Sequence, residues 1–104
     1  MQITIDRVVD DPSRDGDTVT YVIKLKKGAT QNEIHYFNEV ANKQVNKQFN
    51  YINANIEQIS VQVTGISFSD MIAKVESLVQ QANASDDALS AEIKAYNEKI
   101  KPKA

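Results

Sequence analysis

The spacing of apolar residues changes twice between residues 18 and 64, from every second residue to every third or fourth and back again. Residues 18–26 alternate, and their apolar face carries Val19, Tyr21, Ile23 and Leu25. Residues 34–49 place one apolar stripe at helical spacing, formed by Ile34, Phe37, Ala41, Val45 and Phe49. Residues 56–64 alternate again, through Ile59, Val61 and Val63. Alternation is typical of a half-buried strand and the longer period of an amphipathic helix, so the pattern predicts an α+β fold.

Two further signals extend this prediction toward the N-terminus. Residues 2–9 are rich in β-branched residues and predict a strand that pairs with residues 18–26 as a hairpin, with residues 10–17 as the loop. Thr30-Gln31-Asn32-Glu33 has the form of a capping box, which predicts the start of the long helix. That helix is expected to end between Asn50 and Asn55, because asparagine tolerates helix-end conformations.

The C-terminal third predicts two helices. Ser69-Asp70 is a good helix start, and a stripe at helical spacing follows it, formed by Ile72, Val75, Leu78, Val79 and Ala82. Asn83-Ala84 is interpreted as a short connector, with Ser85 capping a third helix that Pro102 ends. The apolar stripe of this third helix is Leu89, Ile93, Tyr96 and Ile100. Before the first of these helices, Gly65 marks either a bulge or a turn.

Together these elements predict one domain over residues 1–104 with the order ββαβαα. A right-handed crossover through the long helix places the third strand parallel to the second. The expected sheet therefore has three strands in the order 2-1-3, with helices covering one face. The sequence leaves open whether the last two helices pack on that face or stand apart as a hairpin.

Composition excludes several classes of chemistry. The chain has no cysteine, which excludes disulfides and thiolate-bound zinc or iron–sulfur clusters. No apolar run reaches the roughly 20 residues of a membrane-spanning helix, so no membrane association is expected. Together with the lack of disulfides this favours a cytoplasmic protein. The compact size and the frequent Asn and Gln residues favour a bacterial or phage source.

Residues 10–17 raise the question of a metal site. Asp11, Ser13 and Asp15 alternate and Gly16 follows, as in the first half of a calcium-binding loop. The twelfth position, where such a loop needs a bidentate carboxylate, is Val22. A turn between two strands accounts for the same residues, because Asp15-Gly16 provides the positive φ of a tight reversal. The turn is the favoured interpretation, so no metal ligand is assigned.

No arrangement of side chains predicts catalysis. His35 is the single histidine and lies off the apolar stripe of the long helix. Gly16, Gly28 and Gly65 are far apart, which excludes a glycine-rich phosphate loop. The chain is therefore predicted not to be an enzyme, with no catalytic residue and no cofactor.

Two surfaces are candidates for binding. For protein contact, the aromatic residues outside the main stripes are Tyr36, Tyr51 and Phe68. For nucleic acid, the basic candidates are Lys24, Lys26, Lys27, Lys43 and Lys47, with Tyr36 and Tyr51 as stacking groups. The formal net charge of −2 disfavours the second surface, and lysines on an edge strand also serve to block sheet-to-sheet pairing.

The leading hypothesis is a small non-enzymatic module that binds a protein partner or a second copy of itself. The alternative is an accessory protein that binds nucleic acid weakly through the basic strand and helix face.

Overall fold

The computed structural model describes residues 2–45 and 49–101. The described elements follow in the order βββαββα. The bounds are β1 Ile5–Val8, β2 Ser13–Asp15, β3 Thr18–Leu25, α1 Gln31–Asn42, β4 Tyr51–Ala54, β5 Gln58–Thr64 and α2 Phe68–Ile100.

The five strands form one antiparallel sheet in the order β1-β3-β5-β4. β2 pairs with β3 as well, beyond the end of β1, so these two short strands together line one edge of β3. The predicted hairpin between the first two extended segments is confirmed. Its turn is shorter than expected, because Asp15 already pairs with Thr18 and only two residues connect them.

The predicted three-stranded sheet of order 2-1-3 is wrong, because two further strands are present: β2 lies within the predicted loop of residues 10–17, and β4 precedes β5. The sequence predicts the end of the long helix in this region, but residues 51–54 form an edge strand in which exposed and buried side chains alternate. The chain then reverses at Asn55, whose side chain accepts hydrogen bonds from the amides of Glu57 and Gln58 at 2.8 and 3.0 Å. This reversal makes β5 antiparallel to β3 rather than parallel.

The long helix starts as predicted and ends early. Thr30 and Glu33 form the capping box: the Thr30 amide donates to the Glu33 carboxylate at 2.8 Å, and the Glu33 amide donates to the Thr30 hydroxyl at 3.3 Å. α1 ends at Asn42 instead of between Asn50 and Asn55. Phe49 is nevertheless buried, as a core residue that follows the helix rather than belonging to it.

The predicted pair of C-terminal helices is one continuous helix, α2, of 33 residues. It starts after Ser67, which accepts a hydrogen bond from the amide of Asp70, and it passes through residues 83–85 without a break. Asn83-Ala84-Ser85 contains neither glycine nor proline, so no backbone constraint ends the helix there. At 1.5 Å per residue α2 is about 50 Å long, and it sets the longest molecular dimension of 67 Å.

Both helices pack on the same face of the sheet. That face is apolar and fully covered, with Tyr21, Val61 and Ile52 side by side across three strands. The opposite face is polar, and its side chains pair with each other across strands: Thr18 with Thr64 at 2.8 Å, and Lys24 with Gln58 at 2.8 Å. A sheet with one covered and one polar face is the arrangement expected of antiparallel strands.

Two asparagines attach the helices to opposite edges of the sheet. The Asn38 side chain of α1 donates to the carbonyl of Ala54 at 3.1 Å and accepts from its amide at 2.9 Å. The Asn83 side chain of α2 makes the same pair of bonds with Ile3, at 3.1 and 2.9 Å. Each amide side chain thus satisfies both backbone groups of one residue, as a neighbouring strand would.

Replacing Asn83 with alanine is expected to lower the free energy of unfolding by about 1–2 kcal/mol, since both backbone groups of Ile3 lose a partner at a half-buried site. Urea unfolding measures this change. The control is Asn97→Ala, which lies on the exposed part of the same helix and should stabilise by up to about 0.5 kcal/mol through helix propensity alone. Equal effects of the two substitutions would show that the bonds to Ile3 contribute nothing.

Candidate functional site

The aspartate-rich segment forms a turn. Ser13, Arg14 and Asp15 belong to β2, and Gly16 adopts φ +61, which is the positive φ predicted for the reversal. All of these residues are exposed. Within residues 2–45 and 49–101, no group of three or more His, Asp or Glu side chains is arranged to hold a metal ion.

His35 lies on the outer surface of α1 with 68% of its side chain exposed. Its Nε2 atom is 3.1 Å from a carboxylate oxygen of Glu39, one helical turn further on. An exposed pair at this spacing is common on helix surfaces and contributes little to stability.

The candidate basic residues divide into two groups. Lys24, Lys26 and Lys27 lie at the end of β3 and in the turn after it, and Lys24 donates to Gln58. Lys43 lies at the C-terminal end of the 12-residue helix α1. The length of α1, about 18 Å, separates Lys43 from the first residue of the helix. Lys47 lies outside the described residues. Arg7 pairs with Lys24 across the strands and adds a cation, but Asp6 binds the Arg7 guanidinium at 2.8 Å.

The three aromatic candidates lie on three elements. Tyr36 is half-buried against the core on α1, whereas Tyr51 is exposed on the polar face of the sheet. Phe68 starts α2, and its ring centroid is 5.6 Å from that of Tyr21. The interaction surface formed by these three residues stays a prediction, and they do not lie side by side.

Phe68 also borders an open groove of about 340 Å³ beside β1 and β2. Asp10 and Arg14 line the same groove, together with Val8, Val9, Pro12 and Tyr21. Because one acidic and one basic side chain face the same shallow space, the groove has no net preference for a charged ligand.

Among the described residues, the most exposed large apolar side chains lie in the C-terminal half of α2. Asp86 is the last buried residue of the helix, Leu89 is half-buried, and every described residue from 90 to 101 is exposed. In this half, Ile93, Tyr96 and Ile100 are 52%, 62% and 59% exposed. We refer to the apolar side chains of this segment as the free stripe, formed by Leu89, Ile93, Tyr96 and Ile100.

The free stripe continues the face by which α2 packs on the sheet. At 100° per residue its four members lie within about 60° of the direction of Val75, which is fully buried. The signal for this continuity is present in the sequence, because the stripe positions before and after Asn83 share one spacing of three and four residues, with Asp86 as the single charged position. The interpretation of Asn83-Ala84 as a connector divided this continuous face between two predicted helices.

The flanks of the free stripe are polar and carry both charges. Glu92 and Lys99 lie along one side of it, and Ser90 and Asn97 lie along the other. Ala91 and Ala95 lie on the opposite, outward side. An apolar strip between polar flanks binds by burying hydrocarbon against another apolar surface.

Comparison with known proteins adds no further information: no protein-family model, no curated protein and no solved structure matches this chain. Among the described residues, no helix combines the length and apolarity that crossing a membrane requires.

A chain that ends at Ala88 is expected to fold, since it loses only the free stripe and exposed residues beyond it. Its free energy of unfolding should stay within about 1 kcal/mol of the full chain, as measured by urea unfolding at low micromolar concentration, where association contributes least.

The matched control ends at Ser77 and also removes three buried apolar side chains of the same helix, Leu78, Val79 and Ala82. At about 1.5–3 kcal/mol for a buried aliphatic side chain, this loss should leave the control unfolded. If the chain that ends at Ala88 were also unfolded, the free half of α2 would be part of the folding unit and not a separate surface.

Proposed function

We propose that this protein is a small non-enzymatic interaction or accessory module, and that the free stripe of α2 is its contact surface. The supporting observation is that one helix packs half of its apolar face against the sheet and leaves the other half uncovered. Single exposed apolar residues are ordinary on protein surfaces. Three exposed apolar side chains and the half-buried Leu89 on one face of a projecting helix are a typical recognition element for a protein partner.

The energetics of the helix support the same proposal. Residues 87–100 make up 14 positions of α2, and an isolated helix of this length is marginal in water. The covered half of α2 nucleates this segment but does not cover its apolar side chains. A partner that buries Ile93, Tyr96 and Ile100 would supply the missing tertiary contacts and stabilise the helical form.

The nucleic-acid alternative has weaker support. Lys24, Lys26 and Lys27 are near each other, but Asp6 and Glu57 lie beside them on the neighbouring strand and turn. Lys43 is at the other end of α1. Acidic neighbours and the negative total charge reduce the attraction to phosphate.

The proposal is tested by photo-cross-linking. Benzoylphenylalanine at position 96 places the probe in the free stripe, and the same probe at position 91 places it on the outward side of the same helix. We expect the probe at position 96 to form a covalent adduct with a protein in cells that make this chain, and the probe at position 91 to form none or much less.

Adding Ile93→Glu should abolish the adduct at position 96, whereas Ala95→Glu, which adds the same charge on the outward side, should leave it. An adduct with a different protein and an adduct with a second copy of this chain would both support the proposal. Equal yields at positions 96 and 91, or a yield that Ile93→Glu does not change, would contradict it.

A further inference from the structure

We infer that the occupant of the free stripe is a second copy of this chain, bound with its α2 antiparallel to the first. This inference rests on the proposed function of the free stripe and names its partner. We refer to the sheet, α1 and the part of α2 that they cover as the body. The inference follows from the spacing of the apolar residues, from the place along α2 where the body ends and from the charges beside the stripe.

Ten positions along one face of α2, nine of them apolar, follow a strict alternation of three- and four-residue steps from the first residue of the helix to the last. They are Phe68, Ile72, Val75, Val79, Ala82, Asp86, Leu89, Ile93, Tyr96 and Ile100. Steps of three and four are the heptad pattern of helices that pack against other helices. Asp86, the one charged member, separates the half covered by the body from the uncovered half.

The position of the body excludes a parallel pair. In a parallel pair, Leu89 of each chain would face Leu89 of the other, and the two bodies would lie at the same level. Each body covers the same face of its own helix, where Val75 and Val79 are buried. Two bodies would then occupy the space between the helices, so the helices could not approach.

An antiparallel pair avoids this collision. Placing Leu89 opposite Ile100 of the second copy also places Ile93 opposite Tyr96, and the arrangement repeats by two-fold symmetry. Lys101 of one chain then lies at the level of Ala88 of the other, just beyond Asp86. The helical overlap, from Leu89 to Ile100 of each chain, therefore lies beyond the part of each helix that its own sheet covers.

The charges favour the same orientation. Glu92 and Lys99 occupy the same side of the stripe, two turns apart, so a two-fold axis between them brings each one beside the opposite charge of the second copy. Among the described residues, neither side chain is in an ion pair within its own chain. On the other side Ser90 and Asn97 are neutral, and no like charges meet.

Sedimentation equilibrium between about 10 μM and 1 mM tests self-association; this range suits an interface smaller than the usual stable dimer. The wild type should show a monomer–dimer equilibrium. Ile93→Glu should raise the dissociation constant at least tenfold, and Ala91→Glu, with the same added charge on the outward side, should change it less than threefold.

A charge exchange tests the orientation. Glu92→Lys alone and Lys99→Glu alone should each weaken the dimer several-fold at low salt, because each places like charges together. The double variant Glu92→Lys/Lys99→Glu should restore the wild-type affinity. If the double variant did not recover the wild-type dimer affinity, the antiparallel pairing of these two residues would be overturned.

Distances between spin labels give an independent test, and the absence of native cysteine allows a single label in each chain. Cysteine in place of exposed Ala84 or Ser77 puts the two labels about 32 or 53 Å apart along an antiparallel pair. A parallel pair would give nearly equal distances at both positions, and this result would overturn the orientation.

A wild-type chain that stays monomeric at 1 mM would overturn self-association. It would leave the proposed function intact if the probe at position 96 still formed an Ile93-dependent adduct with another protein. Loss of both results would overturn both proposals, so the two failures are distinguishable.

Discussion

The packing of one apolar helix face against one apolar sheet face is the constraint on which this structure depends. Val75 and Ala82 of α2 have no exposed surface, and neither do Ile59 and Val61 of β5. The sheet is shorter than the helix, so this face is covered only as far as Asp86. Burial of the first half stabilises the fold, and the same continuous face, extended beyond the sheet, provides the proposed contact surface.

The central elements of the fold could be predicted from the sequence because their apolar patterns are long and their start signals are specific. The alternation of β3 and β5 and the capping box of Thr30 and Glu33 are of this kind. β4 could not be predicted in the same way, since its four residues are too few to show a period, and asparagines around them are as typical of a helix end as of a turn. Missing that strand reversed the predicted direction of β5 and changed the order of the sheet.

The boundary at Asn83 shows why local signals misled the prediction of the candidate site. Asparagine, alanine and serine in succession are typical of a helix end followed by a new cap, but here the Asn83 side chain binds the backbone of Ile3, which is 80 positions away. Such a contact has no signature in the neighbouring sequence. The spacing of the apolar residues did indicate one helix, because Ala82 and Leu89 are seven residues apart and lie on the same helix face. The aromatic and basic candidates were chosen by residue type, whereas the free stripe is defined by position along a helix.

Amide hydrogen exchange resolved by residue along α2 tests the central claim most directly. We expect helical protection from residue 71 to residue 100 without a gap at Asn83–Ser85. Protection before Asp86 should be high and independent of protein concentration, because the sheet covers that half. Protection after Leu89 should be low in dilute solution and rise with concentration as the free stripe is covered. Fast exchange confined to residues 83–85, with equal and concentration-independent protection on both sides, would indicate two separate helices and contradict the account.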